Sequence, residues 1–394
     1  MKKALLFSYF ALFLIFAVFS FVLTDPNLFL LKADWFVNFQ LYLWQNFLPL
    51  QTWRTGFFVV LVLLLFCNYI LIIKNWPKLE LNSRRDFWLF LAALSLPLIL
   101  SYNALSYDLF NYIFNAKMVI EFGANPHLRT ALEFADEPML RFMNNVHTVA
   151  PYGYGWTGLS LLPYALAGSK FLAAFFSFKL FALLSLLLCL LISEKLFTKV
   201  NYRQLALFFL NPLVLIEVLS SAHNDLWMLS PALGALYLAS NFENKKTTKL
   251  LLIVLLLGIS ISIKFATILL LPFILYLLLQ SKLPKIPYFY DLMSLAMFAP
   301  LLTERSKHFL PWYLLWALIF LPWLKSSLWR QLLLVFSLSA LLRYVPWIYY
   351  LPWMSFHLDT SNLLAYQKSV TWLIPAFFLL SKGLLVLFNR SRAK

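Results

Sequence analysis

The chain reads as long apolar runs parted by short polar clusters. Residues 5–23, 56–73, 87–105, 171–192 and 204–220 approach the length at which a helix crosses the ~30 Å hydrocarbon core of a bilayer. A membrane β-strand would instead show short alternating segments. In lipid every backbone amide needs a partner within the protein, so the runs predict helices. Lys and Arg collect in cytoplasmic loops, and the basic clusters therefore set the direction of each crossing. Lys2 and Lys3 place the start inside, and "KNWPKLELNSRRD", "SEKLFTKVNYR", "NFENKKTTK" and "NRSRAK" mark later returns. Alternation between them adds runs at 226–240, 288–303, 309–324, 328–345 and one ending at "NRSRAK". The stretch 250–280 is basic at both ends, so it crosses twice, and Lys264 falls at its turn. "WTGLSLLPYALAG", at 156–168, is short and reads as interfacial or re-entrant, since another crossing would put "SEKLFTKVNYR" outside. The expectation is an all-α polytopic membrane protein of about 12 transmembrane helices, one domain over 1–394. A long first outer loop, from 106 to 170, carries interfacial helices.

Composition agrees: 62% of residues are hydrophobic and 12% charged, which excludes a soluble globular protein. The net charge of +16 follows the positive-inside bias and does not call for nucleic acid. The apolar core of "MKKALLFSYFALFLIFAVFSFVLTDPN" is too long for a signal peptide, and no small-residue cleavage site closes it, so it reads as a retained first helix. Cys67 and Cys189 sit inside apolar runs and offer neither a disulfide framework nor a metal cage. Neither GxGxxG nor a P-loop is present.

Acidic residues test a topology built from basic ones. Glu80, Asp86, Glu194 and Glu243 fall in cytoplasmic loops and Asp291 near that side; the rest fall at or near the outer face. Asp108, just past the third run, is either an N-cap for the amphipathic helix "LFNYIFNAKMVIEF" or a reactive carboxylate at the membrane surface. In "NPLVLIEVLSSAHNDLWML", Glu217 lies within a span, where an ionisable side chain is costly unless paired or functional. His223, Asn224 and Asp225 follow at its outer end; Glu217 and Asn224, seven apart, share a face if the helix continues that far. Lys264 either snorkels or aims its charge into the same pocket. Arg305, Lys307 and His308 sit where the positive-inside bias disfavours cations, which suggests an anionic partner, with Arg suited to phosphate. Tyr152, Tyr154, Trp156, Trp312 and Tyr313 are platforms for the apolar face of a sugar ring.

"YDLFNYIFNAKMVIEFGANPH", "APYGYGW", "NPLVLIEVLSSAHNDLWML", "SIKFATILLLP" and "FLPWYLLWAL" run in order over residues 105 to 320. In this ordered set the chain resembles integral-membrane glycosyltransferases of the GT-C class, and is similar to the bacterial polyprenyl-phosphate mannosyltransferases and their relatives. It departs at "NPH", where relatives often have Tyr, and in showing a single acid at the Asp108 position, where some branches carry a pair. No cofactor is expected, and a divalent metal stays open. The resemblance implies transfer of a hexose, mannose first, from a polyprenyl-phosphate donor to a glycan or lipid-linked acceptor. Transfer would take place at the outer face of the cytoplasmic membrane, with inversion. It implies Asp108 as general base; Lys264, Arg305, Lys307 and His308 on the donor phosphate; and Glu217, His223, Asn224, Asp225, Tyr152, Tyr154, Trp312 and Tyr313 on sugar or acceptor. The rival is a transporter or flippase, which predicts inverted repeats and ionisable groups near the midplane; here the charges gather on one face, around one long loop.

Overall fold

The structure, a computed structural model, describes residues 2–25, 28–242, 247–303, 309–351 and 360–392. Helices in chain order are α1 (Lys2–Ser20), α2 (Asp34–Asn46), α3 (Gln51–Lys74), α4 (Arg84–Leu100), α5 (Asp108–Ile120), α6 (Tyr154–Ala167), α7 (Phe171–Leu196), α8 (Tyr202–Phe209) and α9 (Pro212–Leu215). They continue with α10 (Asp225–Ser240), α11 (Thr247–Ile263), α12 (Leu271–Leu279), α13 (Phe289–Phe298), α14 (Leu315–Leu318), α15 (Ser327–Leu342), α16 (Tyr344–Tyr350) and α17 (Thr360–Arg392). No strand occurs among the described residues.

Length and composition qualify 5 segments as membrane spans: Lys3–Leu23, Gln51–Lys74, Phe171–Leu196, Ser327–Tyr350 and Asn362–Leu385, or up to 6 if the bent pair α8 and Pro212–Ser220 is one span. The expected twelve are not reached on that measure. Thr247–Ile263, Phe265–Leu279, Phe289–Leu302 and Pro311–Trp323 are shorter apolar helices. The apolar surface is what a lipid-facing bundle needs: Leu166, Phe377 and Leu380 are exposed, while Phe13, Phe58, Phe87 and Phe175 fill the interior. Cys67 is exposed and Cys189 buried, both as free thiols.

Three local features position the site. Ser83 caps α4, its Oγ accepting from the Asp86 N–H at 3.1 Å, and Pro97 lies one turn before that helix ends. The chain then crosses the interior as the buried stretch 101–106 and turns into α5, whose inner face is Leu109, Phe110, Tyr112, Ile113, Phe114 and Ala116.

The run at 204–220 breaks. Asn211 Oδ1 accepts from the Leu213 N–H at 2.9 Å, and Pro212 opens a new helix at 56° to α8. That helix widens into a π-turn over Ile216–Ser220 and stops at Ala222, whose φ is +58°. The His223 N–H closes it on the Glu217 carbonyl, six residues back, at 3.1 Å, across a left-handed residue. The condition for Glu217 and Asn224 to share one helical face is therefore not met: the helix ends between them, and Asn224 holds the N-cap position of α10.

The stretch 250–280 breaks at Lys264, which is extended (φ −144°, ψ 130°) between α11 and a 3-10 turn over Phe265–Leu270. Segment 156–168 is α6, packed against α5, α7 and α11. The long loop between α5 and α6 is folded: a capping box joins Thr130 and Glu133, Lys117 pairs with Glu137 at 2.8 Å, and Phe114, Met118, Ala124 and Ala131 form a small apolar cluster.

Candidate active site

Asp108 is the first residue of α5. Tyr107 holds the cap position without a side-chain cap hydrogen bond, and the Asp108 carboxylate is engaged elsewhere. Its Oδ2 accepts from the Tyr152 hydroxyl at 2.9 Å and from the Tyr112 hydroxyl at 3.4 Å, and lies 3.6 Å from His223 Nδ1. Capping is thus not the work of this carboxylate.

Tyr152 arrives by a backbone clamp. The Gly153 N–H donates to the Ile263 carbonyl at 3.0 Å, and a Cβ on Gly153 would stand 1.9 Å from the Ser262 carbonyl oxygen. Only glycine allows the loop so close, and the same contact brings Lys264 beside Tyr152, 5.9 Å from its ring.

Behind Asp108 lies a fully buried chain of polar groups. His223 Nε2 stands 3.2 Å from Glu217 Oε2 without the alignment of a hydrogen bond, and Tyr344 donates to Glu217 Oε1 at 2.9 Å. The His223 ring lies flat on Trp312, centroids 3.8 Å apart at 21°. A second group is built on Asp225, whose Oδ1 receives both Lys264 Nζ at 2.8 Å and Trp316 Nε1 at 2.6 Å. Tyr313 stacks on Trp316 at 4.5 Å and faces Lys264 at 5.7 Å. Glu217 Oε2, both nitrogens of His223, the Asn224 amide and Asp225 Oδ2 have no hydrogen-bond partner among the described residues.

Burial pushes the Asp108 carboxyl above its ordinary range and Asp225 adds to the push, while the Tyr152 hydroxyl and the Lys264 ammonium oppose it. Burial and the Asp108 charge hold the Tyr152 phenol well above its usual range, so it stays a donor. Burial, with Lys264 nearby, keeps His223 well below its usual range and the ring neutral.

Asp108, Tyr152 and Lys264 face a cavity of about 1120 Å³, and Glu217, His223, Asn224 and Asp225 lie buried behind its lining. Asp108, Tyr152, Lys264, Trp312, Tyr313 and Trp316 line it, together with the apolar side chains of Ile261, Phe265, Ile268, Leu269 and Leu364. The structure thus brings together Asp108, Glu217, His223, Asp225, Lys264, Tyr152, Trp312 and Tyr313, with Asn224 buried between His223 and Asp225. Tyr154 reaches the cavity only from outside: it is 62% exposed and its hydroxyl accepts from Asn125. Arg305, Lys307 and His308 lie outside the described residues. Sequence reasoning missed Tyr112, Trp316, Tyr344 and Arg343. Arg343, buried at 3% exposure, lines the cavity and donates to Thr371 Oγ1 at 3.1 Å. It ends an apolar run, so the reasoning that singled out Lys264 applied to it as well. Among the described residues no group of three or more His, Cys, Asp or Glu is arranged to hold a metal ion.

A family model described as "Alpha-(1->6)-mannopyranosyltransferase, N-terminal domain" matches residues 30–280, more than half of the chain. No curated protein and no solved structure matches it. The chain belongs to this mannosyltransferase family, and its apolar helices mark it as a membrane protein.

Proposed function

We propose that this member of the alpha-(1->6)-mannopyranosyltransferase family moves mannose from a polyprenyl-phosphate donor to a glycan or lipid-linked acceptor, at the outer face of the membrane and with inversion. One observation carries the reading: a single cavity joins a carboxylate, two cations and a set of apolar side chains. The apolar lining suits a polyprenyl tail, and the cations suit the phosphate that ends it. Lys264 has three donors and spends one on Asp225, which leaves two for phosphate oxygens. Arg343 supplies a second positive charge from another helix end.

In the reaction the acceptor hydroxyl oxygen bonds to the anomeric carbon as the carbon–oxygen bond to phosphate breaks. The hydroxyl proton passes to Asp108, and the phosphate leaves with the electron pair. Asp108 is suited to be the base because its affinity for a proton is raised and Tyr152 and Tyr112 orient one of its oxygens. The leaving phosphate needs charge compensation rather than a proton, and Lys264 and Arg343, both largely buried, offer it from the cavity lining. Behind the lining, Glu217, His223, Asn224 and Asp225 hold buried polar atoms without hydrogen-bond partners among the described residues, of the kind that sugar hydroxyls satisfy. Trp312 and Tyr313 offer ring faces beside them.

Asp108→Asn tests the assignment, because Asn fits the same space and serves equally well at a helix N-terminus. Transfer should fall roughly 10²- to 10⁴-fold with the protein still folded. If Asp108→Asn turns over normally while Asp225→Asn does not, the base is on the wrong loop.

A further inference from the structure

Lys179 is a lysine inside a membrane span: it lies two turns into α7 and is 0% exposed. No step of the proposed reaction uses it. A buried ammonium is costly unless its protons are satisfied, and all its hydrogen bonds go to neutral oxygens at one place. Lys179 Nζ donates to the Leu98 carbonyl at 3.4 Å, to Ser101 Oγ at 3.5 Å and to the Ser101 carbonyl, with the Phe175 ring 5.0 Å away. These oxygens are the C-terminal end of α4, where unpaired carbonyls and the helix dipole concentrate negative potential.

The same point is a junction. Ser101 Oγ meets Ser220 Oγ at 2.7 Å, and Ser220 Oγ also donates to the Tyr102 carbonyl at 3.2 Å. Ser20 Oγ accepts from the Tyr102 N–H at 2.8 Å. Downstream of Ser101 the buried crossing leads to Asp108; downstream of Ser220 the chain leads to His223. Both strands of the junction thus end on the two groups that face each other at 3.6 Å.

We propose that Lys179 is a positioning residue for the transfer reaction: by capping α4 from α7, it holds the α4–α5 crossing against the π-turn and so sets where Asp108 stands relative to His223. It touches neither substrate nor reacting atoms. The inference rests on Asp108 being the base, so Asp108→Asn is assayed alongside.

The test is steady-state kinetics of full-length Lys179→Met, Lys179→Gln and Ser220→Ala, purified and compared with wild type at equal folded fraction. Met fills the space without charge or donor, and should lower kcat about 10²-fold, the scale of a displacement near 1 Å, with donor KM within about threefold. Gln keeps a donor and should recover part of that loss. Ser220→Ala should lower kcat in the same sense, and Lys179→Gln/Ser220→Ala should lose less than the product of the singles, because both act through one junction. Unchanged kcat in Lys179→Met, or a loss that follows the folded fraction alone, overturns the proposal. If Lys179→Met does not accumulate, Lys179→Gln and Ser220→Ala decide by the same criteria: a lowered kcat at unchanged KM supports the proposal, and wild-type kcat in both overturns it. An active Asp108→Asn would sink the assignment of the base; an inactive Asp108→Asn beside a fully active Lys179→Met would sink this inference alone.

Discussion

Asp108 shows how one side chain carries opposing demands. Burial and the neighbouring Asp225 favour its protonated form, and Tyr152 and Lys264 favour the charged one, with burial dominating. A base acts only when deprotonated, so kcat/KM should lose activity on the acid side at a pH above the ordinary carboxylate range of about 3.9. A profile flat down to pH 4 contradicts that. Stability runs the other way. A carboxyl whose folded pKa is raised contributes stability below its unfolded pKa and loses it as pH rises through the folded value, so at neutral pH the charge works against folding. Asp108→Asn should therefore melt no lower than wild type near pH 7, and its advantage should shrink as pH falls through the raised pKa, a trade between activity and stability at one atom. A lower melting temperature at neutral pH would show that Asp108 is structural. Asp108 and Lys264 are legible in the sequence because a charge stands out beside an apolar run. Tyr112, Tyr344 and Trp316 are not, because aromatic residues make up 19% of the chain and none stands out. Lys179 is conspicuous in its run, but the α4 carbonyls it serves lie 78 residues away.

At the scale of elements, the site depends on helices that stop in the right places. α11 ends at Ile263, and the Gly153 N–H binds the carbonyl there, so one contact places both Tyr152 and Lys264. Gly153→Ala puts a Cβ 1.9 Å from the Ser262 oxygen, and the loop has to retreat. Transfer should fall about 10²-fold or more, as a shift near 1 Å does elsewhere. Gly158→Ala on α6 is the control, since a Cβ there meets no atom within 4 Å, and it should keep wild-type activity. Equal activity in the two variants would remove the clamp from the account. Breaks of this kind are unevenly legible. The break at Lys264 follows from basic residues at both ends of 250–280. The bend at Pro212 falls at "NP", inside a run that the hydrophobic pattern alone reads as one unbroken span. The π-turn and the left-handed Ala222 leave no mark, because alanine in that conformation costs roughly 1–2 kcal/mol and is held there by its surroundings, not by its own preference. That is why the sequence leaves open whether the helix carrying Glu217 continues to Asn224, and the structure ends it between them.

Across the whole molecule, an apolar bundle holds a cavity lined by both charged and apolar side chains, beside a long folded loop. All-helical class and membrane character follow from the hydrophobic pattern, which records burial in lipid directly. The number of crossings does not, because several helices are shorter than a bilayer and length alone leaves open what they do. Family membership limits the chemistry to mannosyl transfer, and the cavity, with its apolar side chains and two cations, is the basis for choosing a lipid-phosphate donor. The most direct test of that choice is a transfer assay with purified full-length protein and polyprenyl-phosphate mannose, in which the new glycosidic bond is read by NMR. The account predicts a mannosylated acceptor, release of polyprenyl phosphate, and an anomeric configuration opposite to that of the donor. Transfer from a nucleotide-linked mannose but not from the lipid-linked one, or a product that keeps the donor's configuration, would contradict it.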